Sequence, residues 1–177
     1  MISFQDPTVQ RALLSHARRL VEGAARGLTT PDSLPPEIAA IPCFGLFVTL
    51  RRGDKLRGCI GNYRVDQTNP AGLLLAQAAP AAAVKDPRFP PVGPAETGLL
   101  TIELTPLHSF RPVEAAGRDR VRAIVLGKHG VIVRADGKRG LFLPQVAAEN
   151  GWDVTTFLEK ACQKAGLPSD AWTCEQS

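Results

Sequence analysis

The sequence predicts a fold that combines helices with short strands joined by tight turns, and three observations support this prediction. Apolar residues recur at helical spacing near both ends of the chain. Short β-like runs, several of them separated by turns that contain Gly and Asp, occupy much of the middle. At 177 residues, with 44% hydrophobic and 21% charged residues, the chain is long enough to bury a substantial core.

The first predicted element is a helix over residues 7–26, because apolar side chains fall on one stripe and Gly27 provides a stop. His16 of this helix is expected at the surface. The segment from Thr29 to Pro42 is rich in proline and is expected to cross the surface without regular structure.

A hairpin is predicted next, because the β-like runs 44–50 and 55–63 flank a turn containing Gly53 and Asp54. Asn69 and Pro70 are expected to cap and begin an alanine-rich helix over 71–85, which Pro80 should kink or interrupt. The loop 86–91 that follows is stiffened by prolines. It presents two charged residues and an aromatic ring at low entropic cost.

The second half of the chain predicts four strands and a closing helix. Residues 99–107 alternate between apolar and polar side chains, which places Glu103 on a polar face. Asp153 is a good N-cap for a helix over 154–165, and Trp152 and Trp172 are expected to anchor its packing. The other three predicted strands are 121–126, 131–134 and 141–143.

The run Leu56-Arg57-Gly58-Cys59-Ile60-Gly61 is the strongest chemical signal in the sequence. On a regular strand Arg57 and Cys59 share one face, and a neighbouring cation favours the thiolate, the reactive form of cysteine. Gly58 and Gly61 would allow a ligand or another backbone to approach the sulfur. The alternative is structural: Cys59 fills space in a strand, and the glycines serve a bulge.

Charge and cysteine content argue against several classes of function. The net charge of +4 is concentrated between Arg111 and Arg139, where no interleaved aromatic residues indicate a single-strand nucleic-acid platform. The four cysteines lack metal-ligand spacing, and no nucleotide-binding motif is present, so neither a metal nor a cofactor is expected. No membrane span and no signal peptide are evident, so a cytoplasmic location is expected.

Several segments together resemble the AMMECR1 domain family. These are LRGCIG after a Phe-Val-Thr-Leu strand, then DPRFPPV, an Ile-Glu strand, KHGVIV, RGLFLPQVA, GWD, FLEKACQKAGLP and a final Trp. They follow one another from about residue 42 to 172, which predicts one domain over 1–177. The family's characteristic positions fall on Arg57, Gly58, Cys59, Gly61, Asp86, Arg88, Phe89, Glu103, Pro144 and Gln145. Pro80 departs from the family pattern.

The resemblance implies an α+β fold, with a mainly antiparallel or mixed sheet flanked by helices and a smaller lobe packed on it. It also implies a role as component A of the AmmeMemoRadiSam system, beside a Memo-like protein and a radical SAM protein. The chain has no three closely spaced cysteines to hold an iron–sulfur cluster, so any radical chemistry would belong to the partner.

Three functional hypotheses follow. In the preferred one the chain is a binding component, in which Arg57, Arg88 and glycine amides grip an acidic ligand or a partner's carboxylate, with Phe89 as an apolar contact. Asp86 and Gln145 are the other candidate binding residues. In the second it is an enzyme with Cys59 as nucleophile, Arg57 beside it, and Glu103 or one of His108 and His129 as proton acceptor. The third, a nucleic-acid or translation-linked regulator, rests on the basic segment alone. Glu103 is alternatively expected to pair with Arg57 as a structural ion pair.

Overall fold

The computed structural model describes residues 3–31 and 33–174. These residues form two compact units that divide between Phe110 and Arg111. Both units combine helices with antiparallel strands, so the α+β prediction is confirmed.

The first unit begins with helix α1, Pro7–Ala25, one residue shorter than predicted. The side chain of Asp6 caps it by accepting from the backbone N–H of Thr8 at 2.8 Å. The predicted stripe is the buried face of this helix. Its buried apolar members are Val9, Leu13, Ala17, Leu20 and Val21.

The surface position predicted for His16 is wrong, because this side chain is 1% exposed. His16 lies three residues after Leu13 and next to Ala17, so it belongs to the face that meets the core. Its Nδ1 atom lies 3.2 Å from Ser33 Oγ, which satisfies the buried ring.

The proline-rich segment is more regular than predicted. It contains the short helix α2, Pro36–Ala39, and the two-residue strand β1, Pro42–Cys43. Proline is compatible with the first turn of a helix, where the missing N–H has no intrahelical partner, so proline content alone did not exclude α2.

The main sheet has three antiparallel strands: β2, Gly45–Arg52; β3, Lys55–Tyr63; and, later in the chain, β5, Leu100–Leu107. Their spatial order is β3-β2-β5, so β2 is central and the other two are edges. The predicted hairpin is present, with Gly53 at φ +58° in its turn. One face of β2 lies in the core; its residues are Leu46, Val48 and Leu50.

Strand β4, Asn69–Pro70, pairs with β1, and helix α3, Ala71–Val84, follows it directly. The predicted capping by Asn69 is wrong, since Asn69 lies opposite Cys43 in that pair and Pro70 is the N-cap. Pro80 does not interrupt α3. Helix α3 covers the core face of the sheet, and its alanines allow close packing there.

Replacing Pro80 by alanine is expected to stabilise the protein by about 1–3 kcal/mol. Proline inside a helix lacks the N–H that would bond to the carbonyl of Ala76, and its ring crowds that carbonyl. Urea unfolding followed by circular dichroism measures the change. An unchanged or lower midpoint would mean that α3 is bent to fit the proline and gains nothing from the restored bond.

The second unit carries its own hairpin and core. Strands β6, Val131–Ala135, and β7, Lys138–Phe142, pair through a turn at Asp136 and Gly137, both with positive φ. Helices α4, Pro144–Asn150, and α5, Val154–Lys164, follow. As predicted, Asp153 caps α5 and Trp172 is buried in the core of this unit.

The strand predicted at 121–126 is wrong, because residues Gly117–Ala123 form a 3₁₀ helix. Arg120 lies within this turn and donates to the carbonyl oxygens of Ala115, Trp172 and Cys174. These side-chain bonds hold the segment in a turn, although its composition favours a strand.

Candidate functional site

Strand β3 contains a β-bulge at the start of the LRGCIG motif. Leu56 lies opposite Arg51 and Gly58 lies opposite Leu50, which leaves Arg57 without a partner residue on β2. The regular strand assumed in the sequence prediction is therefore interrupted at Arg57. A bulge redirects the side chain of the extra residue, and Arg57 takes a different set of contacts from Cys59.

Cys59 is half-buried and lies opposite Thr49 of the central strand. Thr49 Oγ1 and Cys59 Sγ are 3.3 Å apart, within the range of a hydrogen bond to sulfur. Thr49 is 3% exposed, so the hydroxyl is held firmly beside the thiol. Thr49 was not among the predicted residues, because it lies beside Cys59 only through the pairing of β2 with β3.

Asp86 and Arg88 fasten loop 86–91 to the backbone of Cys59, an arrangement called here the Asp86–Arg88 clamp. The N–H of Cys59 donates to Asp86 Oδ2 at 2.8 Å, and its carbonyl accepts from Arg88 Nη2 at 3.0 Å. The two side chains bind each other through Nε–Oδ1 at 2.9 Å and Nη2–Oδ2 at 2.7 Å. The clamp thus takes the place of a neighbouring strand at this edge of the sheet.

The electrostatics of the clamp follow from its hydrogen bonds. The Arg88 side chain, with the N–H groups of Cys59 and Arg88, holds the pKa of the Asp86 carboxyl well below its usual range, although burial opposes this. The pKa of Arg88 is raised, chiefly by Asp86 and in smaller part by the Cys59 side chain. Arg88 is therefore a cation adjacent to the thiol, a role that the sequence assigned to Arg57.

Arg57 instead anchors the far end of the same loop. Its guanidinium binds both carboxylate oxygens of Glu96, at 2.7 and 3.1 Å, and the carbonyl oxygens of Pro90 and Pro91, at 2.9 and 3.3 Å. This hydrogen-bonded ion pair lowers the pKa of Glu96. Glu96 lies in a 3₁₀ helix of the first unit, Pro94–Leu99, outside the motifs identified in the sequence. It was therefore not among the predicted site residues.

The predicted ion pair between Glu103 and Arg57 is wrong. Glu103 accepts from Arg51 Nε at 2.9 Å, a contact between neighbouring strands. It lies opposite Thr49, which lies opposite Cys59, so the central strand separates the carboxylate from the thiol. The three residues form a row across the polar face of the sheet, because directly paired residues share a face.

The two motif glycines allow close packing, because neither has open space where a side chain would begin. A Cβ atom on Gly58 would overlap the carbonyl oxygen of Ala82 in helix α3. A Cβ atom on Gly61 would overlap the ring of Phe47 and lie 2.6 Å from the carbonyl oxygen of Leu46. Of the two uses that the sequence left open, approach of another backbone is the one found at Gly58.

The remaining predicted residues lie in different places. Phe89 is half-buried, and the Arg88 guanidinium carbon lies 5.4 Å from the centre of its ring, at cation–π distance. His108 stacks on Phe4 at the end of β5. Pro144 and Gln145 begin helix α4 in the second unit. His129, in the same unit, accepts from the backbone N–H of Val125.

Iodoacetamide is expected to modify Cys174 and Cys59 well before Cys43 and Cys162. Cys43 and Cys162 are buried, and burial raises the pKa of Cys43 to about 11 and raises that of Cys162. Both effects suppress the reactive thiolate. Peptide mass spectrometry of the folded protein over time measures the order. Modification of Cys43 as fast as Cys59 would contradict the packing of β1.

Among residues 3–31 and 33–174, no helix is long and apolar enough to cross a membrane. In that part of the chain, no three His, Cys, Asp or Glu side chains are grouped as a metal site would require.

Comparison with known proteins identifies the family. The AMMECR1 family model matches residues 14–177. A protein of Methanosarcina acetivorans is 39% identical over 169 residues, covering 93% of this chain and 84% of the relative. A protein of Methanothermobacter thermautotrophicus is 42% identical over 166 residues, covering 92% and 84%.

A solved structure supports the same assignment. The crystal structure of an uncharacterised protein from Pyrococcus horikoshii is similar to this chain, with a TM-score of 0.79 at 35% identity. The match covers 96% of this chain and 86% of that one. The clamp and the hairpin of the second unit both lie within the one family match, and the chain belongs to the AMMECR1 family.

Proposed function

We propose that this chain is a binding component of a multi-component modification system that includes a Memo-like protein and a radical SAM protein. Its recognition patch would be the surface formed by Cys59, Arg88 and Phe89. The observation that carries this proposal is the rigid attachment of loop 86–91 to β3, at one end by the clamp and at the other by Arg57. A surface fixed before binding loses little entropy when it binds.

The patch supports recognition of a carboxylate. The Arg88 side chain is 54% exposed, while its Asp86 partner is 2% exposed. The contacts of the clamp use Nε and Nη2 of Arg88. The clamp contacts do not use Nη1, and the guanidinium carbon lies 5.4 Å from the centre of the Phe89 ring. A guanidinium held in one orientation suits binding of a partner's carboxylate.

Binding of the Memo-like and radical SAM proteins to the immobilised chain tests this proposal. Arg88→Ala and Phe89→Ala are expected to weaken binding by about tenfold each, since the charged and aromatic residues of a preformed patch dominate such contacts. Arg64→Ala is the matched control, because Arg64 pairs with Asp66 on the surface, with side chains 54% and 64% exposed. Cys59→Ser should leave binding within about twofold.

Two outcomes would overturn the proposal. One is the absence of binding of either protein to the wild-type chain. The other is equal binding by Arg88→Ala, Phe89→Ala and Arg64→Ala. Phe89→Ala leaves every hydrogen bond of the clamp in place, so loop 86–91 should stay folded in this variant. A loss of binding would then report on the aromatic ring itself.

A second candidate function is cysteine-dependent catalysis, and one observation favours it. The Cys59 thiol lies 3.3 Å from the Thr49 hydroxyl and also interacts with the Arg88 side chain, so a hydroxyl and a cation are both close to a possible nucleophile. Cys59→Ser separates the two functions in a reconstituted system. Loss of product with unchanged partner binding would support catalysis, and unchanged product formation would exclude it. Thr49→Val should then lower the rate by about tenfold without affecting binding.

A further inference from the structure

The two edges of the main sheet differ in whether their backbone groups are satisfied. On β3, the N–H and C=O of Cys59 point away from the central strand and bind the clamp. The backbone groups of Thr49, its partner, therefore point toward β5 and bond with Glu103. Alternate residues of a strand direct these groups to opposite sides, so those of Ile102 and Leu104 face outward from β5.

Two further observations agree with this direction for the even-numbered residues of β5. Pro106, which has no N–H to give, lies in the same phase, where proline is tolerated on an edge strand. The carbonyl of Leu100 accepts from Arg18 Nη2 at 2.7 Å, on the outer side. Within residues 3–31 and 33–174, no backbone group bonds to Ile102 or Leu104 from the outer side of β5.

A groove of about 580 Å³ runs beside this edge, between α1 and the first half of β5. Arg11, Leu14 and Arg18 line it from α1, at positions that share one helix face. Leu14 is 40% exposed, which is unusual for a leucine on a helix that is otherwise amphipathic. None of the described residues that line the groove is acidic.

We propose that the outer edge of β5 is a docking site for an extended acidic segment of a partner protein. The segment would join the sheet as a fourth strand along Ile102, Leu104 and Pro106. Addition of a strand to a free edge supplies main-chain hydrogen bonds, and the groove beside it supplies selectivity. Carboxylates of the segment would meet Arg11 and Arg18, and an apolar side chain would cover Leu14.

Charge favours this occupant over a second copy of the chain. Two copies that paired through the same edge would bring identical basic grooves together, because a two-fold interface repeats the same surface on both sides. Arg11 and Arg18 of both copies would then repel. Arg18 donates to the carbonyls of Thr97 and Leu100, and no carboxylate among residues 3–31 and 33–174 pairs with its positive charge.

Amide hydrogen exchange followed by NMR tests the geometry. In the free protein the amides of Ile102 and Leu104 are expected to exchange at least about tenfold faster than that of Glu103, which lies within the ladder. Adding a peptide of alternating glutamate and valine should slow Ile102 and Leu104 and leave Glu103 unchanged. Binding of the peptide with no added protection at Ile102 and Leu104 would overturn strand addition.

Fluorescence anisotropy of the same labelled peptide tests the chemistry. Arg11→Glu should weaken binding by about tenfold, because Arg11 lines the groove. Arg26→Glu makes an equal charge change at the other end of α1, and it should change the affinity by less than about twofold. Leu14→Ser provides a second, uncharged variant and should also weaken binding. N-methylation of the peptide backbone should abolish it.

Three results would contradict the proposal. They are equal binding of an alternating lysine and valine peptide, equal binding of the N-methylated peptide, and concentration-dependent dimers that protect Ile102 and Leu104 without any peptide. The last would identify a second copy as the occupant. None of these variants changes a residue of the recognition patch, so the experiments test this docking site and the recognition patch independently.

Discussion

Gly58→Ala is expected to destabilise the protein by about 3 kcal/mol or more, the upper end of the range for overpacked cores. The new methyl group would overlap the carbonyl oxygen of Ala82, so helix α3 and strand β3 would have to separate. Neither atom belongs to a flexible side chain that can turn aside. Because Gly58 is next to Cys59, the separation would also strain the clamp. Thermal and urea unfolding of the purified variant measure the loss.

Gly98→Ala is the control for this substitution. A Cβ atom on Gly98 would meet no heavy atom within 4 Å, and its backbone is not in the left-handed region. Its unfolding free energy should stay within about 0.5 kcal/mol of wild type, or rise slightly. If Gly58→Ala were as stable as Gly98→Ala, the close approach of α3 to β3 would be wrong.

Asp86→Asn is expected to cost about 2–3 kcal/mol, since hydrogen bonds to a charged group are worth more than neutral ones. The carboxylate accepts from two backbone N–H groups and from two nitrogens of Arg88. An amide would put its own N–H₂ against one pair of these donors. Asp66→Asn is the matched control, because its pair with Arg64 is exposed and should contribute much less to stability than the clamp.

Acid should separate Asp86→Asn from wild type. Since the folded-state pKa of Asp86 is depressed, its contribution to stability is complete above the unfolded-state pKa of about 4 and is lost as the pH falls below it. The wild-type unfolding free energy should therefore fall more steeply than that of the variant between about pH 5 and 2. Glu96 and Asp153, whose pKa values are also lowered, contribute equally to both proteins. Parallel curves would contradict the role assigned to the clamp.

Local patterns predicted the parts of the fold that local forces determine. The stripe of α1, the hairpin turn at Gly53 and the cap at Asp153 each depend on residues close in sequence. The predictions for His16 and for the 117–123 segment were wrong because tertiary contacts determine their structure. Ser33 satisfies the buried ring of His16, and distant carbonyls hold Arg120.

The candidate site divides in the same way. The motifs singled out Cys59, Asp86 and Arg88, and the structure brings these three together. The partners of the two other charged residues were not predictable. Glu96 is 39 residues from Arg57, and Arg51 is 52 residues from Glu103. Pairing at such a distance follows from strand register and the bulge, and neither is encoded in the LRGCIG run itself.

The bulge has a consequence for comparisons within the AMMECR1 family. The six residues from Leu56 to Gly61 face only five residues of β2, because Arg57 is an insertion in the ladder. A relative that lacked one residue here would keep the pairing of both strands and lose the anchor on the carbonyls of Pro90 and Pro91. In an alignment, the length of this segment therefore reports whether the far end of the loop after α3 is anchored, independently of which residue stands at the cysteine position.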